Sequence, residues 1–224
     1  MKIAAAFNYV FGKILNNESI RVSSSLNFLA RKRVIDRNYM DYIRLATLEL
    51  IATEINTGKV QGAVAELGVY KGKFARYINQ YFPSRTLYLF DTFKGFDGAD
   101  VTTEVQHDFS SGNQDFSNTS VEEVLLRMPF RDQCIIKQGY FPASAAGLEE
   151  QFAFVSIDTD LYEPIYSGLN YFYPRLIKGG YIFVHDYNND GYKGARKAVE
   201  KFCAEQGISK TPIPDSGGTV VIGK

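Results

Sequence analysis

From residue 62 to its end the chain repeats one local pattern: a short apolar run stops at a glycine or an acid, and an amphipathic segment follows. The runs are "GAVAELG" (62–68), "TLYLFDTF" (86–93), "QCIIKQG" (133–139), "FAFVSID" (152–158), "GGYIFVHD" (179–186) and "TVVIGK" (219–224). They are near-continuous rather than alternating, as expected of strands buried on both faces. Between them, "KFARYINQYF" (73–82), "SVEEVLLRM" (120–128), "YEPIYSGLNYFYPRL" (162–176) and "GARKAVEKFCAEQG" (194–207) read as helices. Strands alternating with helices predict an α/β fold, a doubly wound and mostly parallel sheet.

Local signals place the helix ends. Ser120 with Glu123 three positions on forms a capping-box pattern. Asp160 is expected to cap the helix that starts near Tyr162, and Pro164 suits its first turn. Gly58 and Gly207 are C-terminal stops. Lys94 to Thr119 shows no clear period and is expected to be a long loop acting as a lid.

Residues 1–58 are expected to form a helical extension or cap, with 59–224 as the sheet domain. "YMDYIRLATLELIATEINTG" (39–58) spaces Ile43, Leu48, Ile51 and Ile55 as a helix does. "MKIAAAFNYVFGKILNN" reads as an amphipathic helix. Its small residues precede the apolar stretch, unlike a signal peptide, and the stretch is too short to span a bilayer. Its apolar face suits packing on the domain or on a second subunit, a homodimer, rather than a membrane.

Lys plus Arg equals Asp plus Glu at 25 each, for zero net charge. That disfavours a nucleic-acid binder, whose footprint is basic excess; only Arg31-Lys32-Arg33 forms a local patch. The two cysteines, Cys134 and Cys203, show no zinc-type spacing and read as free thiols of a reducing, cytoplasmic setting.

In a wound parallel sheet, ligands bind beyond the carboxyl ends of the strands. Those ends deliver Glu66-Leu67-Gly68-Val69-Tyr70-Lys71-Gly72, then Asp91-Thr92-Phe93, Gly139-Tyr140-Phe141, Asp158-Thr159-Asp160 and His185-Asp186-Tyr187. The first is E-x-G-x-x-x-G, not the G-x-G-x-x-G of a nicotinamide site. An acid in first place suits a ligand with a cationic end. Asp91 is placed to accept hydrogen bonds from two ribose hydroxyls.

"VAELGVYKGKFA", "LYLFDTFKGF", "FVSIDTDLYEP", "LIKGGYIFVHDY" and "GARKAVEKF", in that order, resemble the TylF/macrocin-type O-methyltransferases over roughly residues 39–224. The resemblance implies a class I S-adenosylmethionine (SAM) enzyme with a seven-stranded sheet whose last strand is antiparallel. It also implies a small-molecule acceptor, a sugar hydroxyl, and a divalent metal, usually magnesium. On this chain the donor loop falls to Glu66, Gly68, Tyr70 and Gly72. The ribose side falls to Asp91, Thr92 and Phe93, and the adenine side to Gly139, Tyr140 and Phe141. The metal falls to Asp158, Asp186 and His185. The family pairs two acids at the fifth strand's end; here His185 replaces one of them. An imidazole shifts preference toward manganese, iron or zinc. Adjacent strand residues face opposite ways, so 185 and 186 both face a metal only if the strand bends.

Methyl transfer to a hydroxyl needs a proton acceptor. Asp158 is the first candidate and His107, in the 94–119 segment, the second. Two other readings remain open from sequence: a metal-independent small-molecule methyltransferase of the same fold, and a non-catalytic nucleotide-binding protein. The tyrosines at 162, 166, 171 and 173 read as packing.

Overall fold

The structure is a computed structural model and describes residues 6–7, 9–12 and 41–224. Residues 6–7 and 9–12 are helical, with Phe7, Tyr9, Val10 and Phe11 exposed. The rest of the expected N-terminal helix and the Arg31–Arg33 patch lie outside the described residues. Among those described, no helix is long and apolar enough to cross a membrane.

The chain divides into Met1–Asn38 and Tyr39–Lys224. Helix α1 (Tyr42–Thr57), grouped with the extension on sequence, therefore belongs to the larger unit. Its Leu48, Ile51, Ala52 and Ile55 are buried with strand residues Val64 and Phe154. Asp41 caps it, Oδ1 accepting from the N–H groups of Ile43 and Arg44 at 2.7 and 3.1 Å.

The strands are β1 (Ala63–Leu67), β2 (Leu87–Asp91), β3 (Cys134–Gln138), β4 (Phe152–Ile157), β5 (Leu176–Val184), β6 (Thr211–Pro212) and β7 (Val220–Gly223). They form one seven-stranded sheet in the order β3-β2-β1-β4-β5-β7-β6. β1 to β5 pair in parallel, and β7 is antiparallel to both β5 and β6. The chain steps outward from β1 to β3, then returns to place β4 beside β1. That reversal opens a crevice at their carboxyl ends. Sequence missed β6, an edge strand two residues long in which Pro212 is tolerated.

Side-chain alternation along the strands builds two cores. Leu67, Phe90, Ile157 and Val184 pack on one face with helices α5 (Tyr162–Arg175) and α6 (Lys193–Gln206). Val64, Leu89, Phe154 and Phe183 pack on the other with α1 and α2 (Ala75–Tyr81). Two residues on from Val64 and Phe154, Glu66 and Ser156 point toward α1 as well, both fully buried. A polar pair is thus carried into the layer where α1 can meet it.

Two local expectations are corrected. The 94–119 segment is not all loop: α3 (Gly98–Gln106) runs through it, with Asp97 Oδ1 accepting from Ala99 N–H at 2.9 Å. Its buried residues are Asp100 and Glu104. A helix whose inward stripe is acidic leaves no apolar period to read. Asp160 does not cap α5. It sits at φ 61° beyond the first turn, and the Tyr162 N–H donates instead to Glu104 Oε1 at 2.8 Å. The cap comes from α3. Helix α4 (Val121–Arg127) starts as expected, with Ser120 Oγ accepting from Glu123 N–H at 3.1 Å.

Candidate active site

All five strand ends open on one cavity of about 330 Å³, the size of a pocket that encloses a small ligand. Of the residues singled out on sequence, Glu66, Gly68, Tyr70, Asp91, Thr92, Gly139, Tyr140, Phe141, Asp158, His185 and Asp186 line it. Gly72, Phe93 and His107 do not. Gly72 turns the loop, its N–H donating to Val69 O at 2.8 Å. Phe93 is buried in the α1-side core. His107 ends α3 and stacks on Phe109, ring centres 5.3 Å apart.

The donor-loop glycine is dictated by a close approach. A Cβ on Gly68 would lie 2.1 Å from the carbonyl oxygen of Asp158, and its φ is +85°. No side chain fits where β1 and β4 release their ends together. Asp91 braces the same loop. Its Oδ2 accepts from Val69 and Tyr70 N–H at 2.7 and 2.8 Å, and Oδ1 from Phe93 N–H at 2.6 Å. Each carboxylate oxygen offers two lone pairs, so Oδ1 keeps one free in a residue that lines the cavity.

Sequence reasoning missed the residue that organises the floor. Arg44, on α1, is 4% exposed and donates from both terminal nitrogens to Asp158 Oδ2, at 3.1 and 3.0 Å. It reaches Ser156 Oγ at 3.3 Å and lies 3.8 Å over the Phe74 ring. In "YIRLATLEL" it looks like any helical arginine; only the inward alternation of Glu66 and Ser156 hints that a cation must meet them.

His185 Nδ1 lies 3.1 Å from Asp158 Oδ1 and 2.6 Å from Asp186 Oδ2. Asp186 adopts φ 59°, the bend that lets neighbours 185 and 186 face one site. Burial alone would raise the Asp158 carboxyl, but the charges of His185 and Arg44 hold it well below the usual range. Burial alone would lower His185; Asp158 overrides it, lifting the imidazole to about 10. Glu66 is the opposite case. Burial first, then the Asp158 charge, pushes its carboxyl well above normal. Asp160 is likewise raised by burial and by Asp186.

Four buried side-chain polar atoms lack a partner among the described residues: Arg44 Nε, Glu66 Oε2, Thr159 Oγ1 and Ser144 Oγ. The first three belong to residues that line the cavity. Over the cavity, Asp100 Oδ1 accepts from Tyr140 O–H at 2.8 Å, tying α3 to the end of β3.

The macrocin O-methyltransferase (TylF) family model matches residues 32–221. The chain belongs to the TylF family. A curated relative from Streptomyces olivaceus, 8-demethyl-8-(2,3-dimethoxy-alpha-L-rhamnosyl)-tetracenomycin-C 4'-O-methyltransferase, is 27% identical over 190 residues, 80% of this chain and 71% of its own. Among solved structures the O-methyltransferase NovP has a TM-score of 0.65 at 23% identity, covering 81% of this chain and 79% of its own. The calicheamicin methyltransferase CalS11 gives 0.64 at 19%, covering 80% and 77%. At that identity the two structures show the fold alone. This TylF-family chain is a methyltransferase, and its sheet is that of the class I O-methyltransferases.

Proposed function

We propose that the chain transfers a methyl group from SAM to a hydroxyl of a sugar or glycosylated small molecule. The observation that carries this is Glu66 Oε2, a buried and unpartnered carboxylate oxygen at the start of the glycine loop. Burial pushes that carboxyl well above its normal range, so a ligand that brings a positive charge, as the α-ammonium and sulfonium of SAM do, relieves the cost of ionising it. The sugar acceptor is supported by the Streptomyces olivaceus relative, named for methylating a rhamnosyl group.

The reaction is an in-line displacement. The acceptor oxygen forms a bond to the methyl carbon as the carbon–sulfur bond breaks, and the donor leaves as the neutral thioether S-adenosylhomocysteine. The hydroxyl proton passes to Asp158. An oxygen bonding to a methyl group turns into a protonated ether, a strong acid, so a weakly basic carboxylate suffices if it is within reach. Asp158 Oδ1 keeps a lone pair beyond its contact with His185 and lines the cavity. Phe96 and Phe116 also line it and present apolar surface there.

A divalent metal is implied by the resemblance, and three donors suit one: Asp158, His185 and Asp186 offer atoms within 4.8 Å of one another. Their hydrogen bonding does not suit one. Both carboxylates are already paired within the protein, and the only imidazole nitrogen among those contacts faces them as a donor. The reading also takes in a cytoplasmic setting, supported by the unpaired Cys134 and Cys203, and a homodimer, supported by the exposed Tyr9 and Val10.

Calorimetry with SAM and S-adenosylhomocysteine tests the donor, and mass spectrometry of nucleotide-linked and free sugars tests the acceptor. Donor binding with gain of one methyl group is the expected result. A folded chain that binds neither nucleoside is a scaffold instead.

A further inference from the structure

Two carboxylates meet at the ends of β4 and β5, and all four of their oxygens have donors from this chain. Asp158 Oδ2 takes both terminal nitrogens of Arg44, at 3.1 and 3.0 Å. Asp158 Oδ1 and Asp186 Oδ2 share His185 Nδ1, at 3.1 and 2.6 Å. Asp186 Oδ1 accepts from Asn189 Nδ2 at 2.6 Å. Carboxylate oxygens only accept, so the nitrogen seated between them is placed as an N–H donor in either charge state of the ring, the arrangement that leaves no Nδ1 lone pair for a metal.

The surroundings fix both donors in place. The Arg44 guanidinium is buried against Phe74 and reaches Ser156. The His185 ring is seated on Gly217, where a Cβ would lie 2.0 Å from Nε2. One residue joins the two supports: Asp41 caps α1 through Oδ1, and its Oδ2 accepts from Ser216 N–H at 2.8 Å. The helix that carries Arg44 and the loop that seats His185 are thereby held in register.

The geometry points to a methyltransferase site that works without a divalent metal, in which Arg44 and His185 take over the task of holding Asp158 and Asp186 together. The inference rests on the reading above for the role of Asp158 and departs from the metal that the family resemblance implies. A divalent ion entering here meets a fixed guanidinium on one carboxylate and an imidazole N–H between the two. Displacing them leaves a buried cation unpaired, which opposes entry.

Manganese alone is the probe. The full chain is titrated with Mn²⁺ while the paramagnetic resonance of free Mn²⁺ is recorded. No saturable loss of signal is expected from the wild type. One equivalent bound per chain overturns the inference, as does methyl transfer that fails in EDTA and returns with Mg²⁺ or Mn²⁺. The double variant Arg44→Ala with His185→Asp removes both protein donors and adds an acid. If it folds by circular dichroism, it is expected to bind Mn²⁺ at least ~10-fold more tightly than the wild type; a folded double variant that still ignores Mn²⁺ also overturns the inference. If it does not fold, the wild-type titration decides. Calorimetry with S-adenosylhomocysteine on the same samples separates this outcome from failure of the methyltransferase reading, since donor binding needs neither Mn²⁺ nor turnover.

Discussion

Asp158 has two sides: it neutralises Arg44 and lines the cavity. Changing Asp158→Asn keeps the shape and removes the charge. Methyl transfer should fall by roughly 10²- to 10⁴-fold, the usual worth of a positioned proton acceptor, while S-adenosylhomocysteine affinity stays near wild type. Steady-state kinetics beside calorimetry separates the two, and an unchanged rate removes Asp158 from the chemistry. The substitution also leaves Arg44 buried without a counter-charge, at a cost on the order of 3 kcal/mol readable by urea unfolding. Gly68 is a residue of another kind, since its role is to be absent. Gly68→Ala would set a carbon 2.1 Å from the Asp158 carbonyl and strain a positive φ, so soluble yield and donor binding should fall together. The acids at the strand ends were legible because an acid ending an apolar run is costly and must be explained. Arg44 was not legible, because a helix shows its inward arginine only once its partner strand is known.

Among the elements, α3 shows where pattern reading stops. Its inward residues, Asp100 and Glu104, are spaced four apart, as an apolar stripe would be, but both are acids. Both are satisfied by the body of the domain, Asp100 by the Tyr140 hydroxyl and Glu104 by the Tyr162 N–H and the Ser110 hydroxyl. Glu104→Ala leaves the Tyr162 N–H without its acceptor, an expected loss of ~1–3 kcal/mol. It also frees one anchor of the helix over the cavity, so KM for the acceptor should rise more than kcat falls. Equal falls in both would place Glu104 in the chemistry rather than in positioning. The strands and the other helices of the sheet domain were legible from periodicity, because their buried faces are apolar. β6 was too short to carry a period, and the start of β5 was hidden by its direct run-on from α5.

At the scale of the whole molecule, the ion cluster makes stability depend on pH from both sides. His185 rises from 6.5 to about 10 on folding. Its contribution is therefore complete below about pH 6.5 and lost as pH climbs toward 10. Asp158 is depressed on folding, so its contribution is present above the ordinary carboxylate range and lost in acid. Urea midpoints taken between pH 6 and 10 should decline for the wild type by an amount equivalent to roughly 3 kcal/mol or less, and His185→Gln should flatten that slope. An identical slope in both proteins would assign the decline to other groups.

The bond from Ser216 to Asp41 joins the loop before β7 to the helix that opens the larger unit. During synthesis the Arg44 helix is made first, and the loop that completes its anchorage follows 175 residues after Asp41. A growing chain can fold most of its sheet and still own no finished pocket. Cutting the chain before Ser216 would, by the same token, unseat the Arg44 helix rather than remove a dispensable loop.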